Sequence, residues 1–345
     1  MHTLFRSLKS TLIIALLLNT LCATAQTTSW PEAVKNRNRV THLQLAHRHL
    51  WKVPQSIGIL KNLSKLDLKH NQLTTLPNQL GNLSKLEWLY LNENQFKVFP
   101  KAITRLPVLV SLNLQQNKIT QITKEIGRLK SLEWLDLYRN QLTSLPSEIG
   151  QLKSLKWLEL GFNRLTSLPP EIGQLTQLTR LSLWFNQLKT LPSSIGQLQN
   201  LSSLSLQSNH IETLPKEFGQ LKALKSVSLS HNRLTTFPAA LIQMNWVRSV
   251  SMINNQIQHL PPSIKNMTAL STLQLNHNHL TNLPEEIGAL VNLEYLDLSN
   301  NQIKTLPKTI EKLTKLKTLD LKGNPLSASE KTRIQTLLPN TKIDF

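Results

Sequence analysis

Asparagine recurs at positions 71, 94, 117, 140, 163, 186, 209, 232, 255, 278, 301 and 324, each 23 residues after the last, with no insertion or deletion. A fixed period of this size means a stack of one supersecondary unit, because a single unit cannot bury its own apolar face and must lay it against the next. Eight, five and three positions before each Asn stands an aliphatic residue, as in Leu132, Leu135 and Leu137 before Asn140. One further unit fits at Val40, Leu43 and Leu45, with Arg48 in place of the Asn, which makes thirteen. Leucines two apart face one side of a strand and the residues between them face the other. Units stacked at about 4.8 Å therefore build a parallel sheet with one face in the core and one on display. An Asn carboxamide carries two donor hydrogens and an acceptor, so it can satisfy the backbone where the chain turns away from the strand. In the second half of a unit, Ile149 and Leu152 are three apart, a spacing that suits a helical or 3₁₀ turn packed on the core, and Pro146 and Gly150 keep that piece short.

The pattern L-x-x-L-x-L-x-x-N-x-L over residues 40–326 resembles the leucine-rich repeat family. Its second half, as in Leu145-Pro146-Ser147-Glu148-Ile149-Gly150, is similar to the 23-residue Leu-Pro-x-x-Ile-Gly subtype found in bacterial exported proteins, plant disease-resistance-like repeats and animal scaffold proteins. The resemblance implies an α/β fold: a right-handed solenoid, or horseshoe, with a parallel β-sheet on its concave face and short helical or 3₁₀ turns on its convex face. It also implies recognition of proteins and no enzymatic activity.

Four segments are expected. Residues 1–25 read as an export signal: Arg6 and Lys9 give a positive start, residues 12–18 are apolar, and Ala23-Thr24-Ala25 is a small-x-small cleavage site. The apolar run is far short of the roughly 20 residues that span a bilayer. Lipidation of Cys22, the only cysteine, is the alternative to cleavage after Ala25, although Leu21 is a large residue to precede a lipidated Cys. Residues 26–39 form an N-terminal cap, with a helix opening at Ser29-Trp30-Pro31-Glu32. Residues 40–326 hold the thirteen repeats. Residues 327–345 form a C-terminal cap, in which Ser327 and Glu330 have capping-box spacing and 343–345 add an extended edge. Within the repeats, Ile242 replaces the turn glycine, Met244 and Met267 replace core leucines, and Val247, Val250 and Met252 weaken the Leu pattern, so residues 239–268 are expected to be the weakest joint.

Aromatic residues are concentrated on the display side of repeats three to seven: Trp88 and Tyr90, Trp134 and Tyr138, Trp157 and Phe162, Trp184 and Phe185. The alternating leucines already fill the interior, so these rings are expected to be exposed and to mark an interaction site. Tyr138, Gly161 and Trp184 share one column, which predicts an open slot between two aromatic walls two strand spacings apart. Asp136 and Glu159 lie in the adjoining column, with Arg139 and Arg180 near enough to balance them. Paired carboxylates beside aromatics invite a glycosidase reading, yet a flat wet strand face buries neither acid. Repeats eight to ten carry Ser203, Ser205, Ser226, Ser228, Ser230, Ser249 and Ser251 there, a strip read as solvent-facing filler.

The formal net charge is +19, but the outward strand columns are nearly neutral. The excess falls on the convex side in columns such as Lys61, Lys130, Lys153 and Lys222, or Lys101, Lys124, Lys216 and Lys308. The expected partner is therefore a protein at the aromatic cluster. Adhesion to glycans or polyanions such as lipopolysaccharide through the basic columns is the second possibility. Nucleic acid is not expected as a partner of an exported chain, nor is a transmembrane segment in its mature form. No cofactor, metal or catalytic residue is expected, since the single cysteine and the solvated His47 and His70 offer no ligand set.

Overall fold

The computed structural model describes residues 26–345, so the expected export signal and Cys22 lie outside the described residues. Two compact units divide the chain, Met1–Asn140 and Gln141–Phe345. In the first, strands β1 (Gln26–Thr27), β2 (His42–Gln44), β3 (Lys65–Asp67), β4 (Trp88–Tyr90), β5 (Ser111–Asn113) and β6 (Trp134–Asp136) pair in parallel in chain order. In the second the same holds for β7 (Trp157–Glu159), β8 (Arg180–Ser182), β9 (Ser203–Ser205), β10 (Ser226–Ser228), β11 (Ser249–Ser251), β12 (Thr272–Gln274), β13 (Tyr295–Asp297), β14 (Thr318–Asp320) and β15 (Lys342–Asp344). From β2 to β6, and again from β7 to β14, register partners are 23 residues apart, as in Trp88 with Ser111 and Arg180 with Ser203. The sequence period is thus the pairing period, and each repeat position meets the same position of the next unit.

From β2 to β14 each strand has a buried central residue, and in most, such as those around Leu89 and Leu158, the two flanking residues reach towards solvent. The chain returns along the other side in 3₁₀ turns such as Ser147–Gln151 and Pro170–Gln174, each entered from an extended proline. Successive turns pack so closely that a Cβ on Gly173 would collide with the Ser194 carbonyl oxygen. At Ile242, which stands where that glycine recurs, the turn is instead α-helical, α2 (Ala239–Ile242), after α1 (Trp30–Lys35). Met244, Val247, Val250 and Met252 are completely buried, so the irregular residues there still close the core.

The recurrent Asn holds each strand end. Asn209 Nδ2 donates to the carbonyls of Leu183 (2.9 Å), Leu206 (3.1 Å) and Gln207 (3.3 Å), while its Oδ1 accepts the N–H of Leu188 (3.0 Å). Asn94 repeats the pattern with Leu68, Leu91, Asn92 and Leu73. The residue just before each Asn from Asn71 to Asn301, and His47 before Arg48, adopts left-handed backbone with φ of 50–56°. Such a residue reverses the chain sharply and directs its side chain away from the core, at a cost of about 1–2 kcal/mol for an L-residue without a local compensating bond.

At the C-terminal end, Ser327 caps α3 (Ala328–Leu337), accepting the Glu330 N–H, and β15 pairs with β14. Glu330 is only 8% exposed; its Oε1 accepts the N–H of Leu306 at 2.9 Å, and Arg333 binds both carboxylate oxygens at 2.6 and 2.7 Å. The Arg333 hydrogen bonds, helped by the Leu306 N–H, hold the Glu330 carboxyl below its ordinary range. A depressed folded value stabilises the fold above the unfolded pKa, and that contribution is lost as pH falls through the folded value. Arg333 is partly exposed, so solvent screens the pair, and Glu330→Gln is expected to cost about 1–2 kcal/mol at neutral pH. Chemical denaturation should show the gap between the two proteins narrowing once the pH falls below the ordinary glutamate range of about 4.3 and closing as it falls further through the lowered folded value. An equal gap at every pH would show that the charge contributes nothing.

Candidate functional site

The outward strand positions of the first unit carry Trp88 and Tyr90, both half-buried, and Trp134, which is 43% exposed. The Lys65 ammonium lies 5.3 Å from the Tyr90 ring centre, and the Arg139 guanidinium lies 5.7 Å from that of Tyr138. Cations over ring faces keep apolar surface partly covered while leaving it accessible to a partner.

In the second unit the Arg180 guanidinium stands 5.4 Å from the Trp157 ring, and three rings form one cluster. Phe162 and Phe185 stack with centroids 4.3 Å apart and planes 11° from parallel. Trp184 meets both edge-on, at 4.7 Å from Phe162 and 5.5 Å from Phe185. Both phenylalanines occupy the left-handed column, which throws their rings outward, and Phe185 remains 47% exposed. A bulky residue at positive φ is unusual, so the backbone displays these rings at an energetic cost.

The open slot expected over Gly161 is absent. The Trp184 indole lies across that glycine, where a Cβ would collide with it. A flat apolar ring next to bare backbone gains contact by closing the gap, and glycine is what permits it. The glycosidase reading also loses ground, because each acid serves its own strand end. Asp136 accepts the N–H of Tyr138 at 3.0 Å and Glu159 that of Gly161 at 2.8 Å. Asp67, Asn113 and Asp320 make the same bond two residues on, so an acid or amide in this column is a local backbone cap.

The lysines of the turn side, Lys61, Lys130, Lys153 and Lys222 as well as Lys101, Lys124, Lys216 and Lys308, are all exposed. Some are engaged locally: Lys61 and Lys153 bind carbonyls of the following repeat, and Lys222 sits 4.0 Å from the Trp246 ring centre. His47 and His70 stack at 4.1 Å, with His70 Nδ1 2.7 Å from a Glu93 oxygen. Among the described residues no group of three or more His, Cys, Asp or Glu side chains is placed to hold a metal.

Sequence models for a leucine-rich repeat region match residues 97–185, and those for a leucine-rich repeat match residues 38–96, 176–234, 199–257 and 268–326. The chain belongs to the leucine-rich repeat family. A leucine-rich repeat protein of Leptospira interrogans is 38% identical, with 91% of this chain and 86% of that one covered and a TM-score of 0.75. An internalin from Listeria monocytogenes is 26% identical over 90% of this chain and 88% of that one, with a TM-score of 0.74. The Drosophila Toll–Spatzle complex is matched at 25% identity and a TM-score of 0.75, covering 90% of this chain but only 43% of that one. No curated protein sequence matches the chain.

Within this leucine-rich repeat protein, four residues that the sequence reading left out of the aromatic site lie beside it. Ser205, Gln207, Ser208 and His231 join Trp184 and Phe185 around a cavity of about 570 Å³. Ser205 belongs to the serine strip read as solvent-facing filler, and nothing in the identity of Ser205 or Ser208 distinguishes it from filler. What marks Ser208 and His231 is the left-handed column they share with Phe162 and Phe185, while Gln207 falls in the column of Trp184.

Proposed function

We propose that this protein is an exported, non-enzymatic binding module that recognises a protein partner through the aromatic residues of its strand face. The candidate binding residues are Trp88, Tyr90, Trp134, Asp136, Tyr138 and Arg139 in the first unit, and, separately, Trp157, Glu159, Gly161, Phe162, Arg180, Trp184 and Phe185 in the second. The observation that carries this reading is the contiguous Phe162–Trp184–Phe185 cluster: three large rings stand outside a core that the leucines already fill, two of them on strained backbone. Aromatic and arginine side chains packed together in this way are the usual anchors of protein interfaces. The family supports a binding role, and a solved relative, Toll, is in complex with Spatzle. Export rests on the N-terminal sequence. No helix among the described residues is long and apolar enough to cross a membrane.

The test is capture of a partner from the extracellular fluid of the source on an immobilised chain, repeated with Trp134, Trp157 and Trp184 changed to Ala. The expected result is a protein retained by the wild type, released little by salt, and lost from the triple variant. A ligand held equally by both and eluted by moderate salt would instead assign binding to the basic turn side, where attraction is electrostatic and screened.

A further inference from the structure

The column of left-handed residues in the second unit runs Phe162, Phe185, Ser208, His231, Asn254. Planar groups one repeat apart in this column stack naturally: Phe162 and Phe185 at 4.3 Å, and in the first unit His47 and His70 at 4.1 Å. Phe162 covers one face of Phe185. The other face looks along the column towards Ser208, whose side chain is too small to cover it, and the next ring is that of His231. Two strand spacings separate Phe185 from His231, about 9–10 Å, which leaves room for one ring at the stacking distance from each.

This gap is the cavity described above, and it is prepared for a ligand in two respects. Asn254 Nδ2 lies 2.8 Å from His231 Nδ1 and holds the imidazole in place, so one wall is fixed before anything binds. Gln207 lines the cavity, and its carboxamide oxygen, covered as it stands, has no hydrogen-bond donor among the described residues, so a turn of the side chain into the cavity would bring it to a ligand donor. An acceptor left in that state calls for a donor from outside. Ser205 and Ser208 add hydroxyls, and the lining contains no acid to balance a guanidinium.

We infer that the gap above Ser208 is a binding slot for a planar, neutral side chain with a donor at its edge: a tyrosine presented by the protein partner, its ring between Phe185 and His231 and its phenol O–H directed at Gln207. The ligand class rests on the strand face being a protein-binding surface; the slot itself can be tested without the partner. N-acetyl-tyrosinamide is titrated into the chain lacking residues 1–25, with NMR shifts read at Ser208 and His231. N-acetyl-leucinamide and N-acetyl-argininamide serve as comparators. Ser208→Phe is the filling variant, and its fold is secured because Phe162 and Phe185 already adopt the same backbone. The expected result is a saturable ring-current shift with the tyrosine probe that weakens by about tenfold or more in Ser208→Phe and with the leucine probe. No saturable shift, an unchanged shift in Ser208→Phe, or tighter binding of the arginine probe would overturn the inference. If the tyrosine probe fails while changes at Trp184 and Phe185 still abolish partner binding, the slot is wrong and the binding surface stands. If the probe binds while those changes leave partner affinity intact, the surface reading is wrong and the slot remains.

Discussion

Asn209→Leu is expected to destabilise the protein by about 2–4 kcal/mol, the largest effect of any single substitution considered. Leucine has the same branching and the same number of side-chain heavy atoms, so no cavity forms and the loss is chiefly one of hydrogen bonding. Asn209 is 4% exposed and serves four backbone groups, two of them in the preceding repeat. Its removal strands the Leu188 N–H, while the carbonyls of Leu183 and Leu206 each lose one of two Asn donors and keep the other, from Asn186 and Asn232. A buried group so stranded costs about 1–3 kcal/mol, and some of that is recovered by relaxation. Arg48 occupies the equivalent position in the first repeat and is exposed, so Arg48→Leu is expected to change stability by no more than about 0.5 kcal/mol. Urea denaturation of both variants checks the pair. Equal and small losses would mean that the Asn ladder is decoration and that the leucines alone hold the stack.

The second large effect is on binding. Trp184→Ala and Phe185→Asn are each expected to weaken partner affinity by about 30-fold or more, equivalent to about 2 kcal/mol, the loss typical of a central aromatic anchor. Asparagine is chosen at 185 because Asn254 and Asn300 already occupy the same left-handed position, so the ring is removed without straining the backbone. The Phe185→Asn protein should unfold at an unchanged or slightly higher denaturant concentration, which separates loss of recognition from loss of fold. Lys153→Glu, on the turn side, should leave affinity within about twofold if the partner sits on the strand face. A reversed ranking would transfer the site to the basic columns.

The repeat made most of the fold legible before any coordinates. A fixed spacing of aliphatic residues determines which side chains face inward, and a polar Asn at a buried position announces backbone bonds that need satisfying. Ser327 and Glu330 marked a helix start for the same reason, because the spacing of a capping box is local chemistry. The candidate site was legible as a list of rings and not as a shape. Residue type places Trp184 on the outward face, but its rotamer follows from what surrounds it: with no Cβ on Gly161 to hold it off, the indole lies down over the backbone and closes the slot expected there. The left-handed column was missed because glycine, the usual sign of positive φ, occupies it only at Gly323. Histidine, glutamate, phenylalanine and serine fill it elsewhere, and their shared conformation comes from the strand-ending turn, not from their own preference. Once that column is recognised, the succession Phe162, Phe185, Ser208, His231 reads as a stack with one place open.

The central claim, that recognition belongs to the aromatic strand face, is tested most directly by hydroxyl-radical footprinting of the protein with and without its bound partner. Oxidation of Trp184 and Phe185 should fall sharply in the complex while the peptides carrying Lys61, Lys153 and Lys222 react as before. Protection of those lysine-bearing turns, with Trp184 and Phe185 still fully reactive, would contradict it.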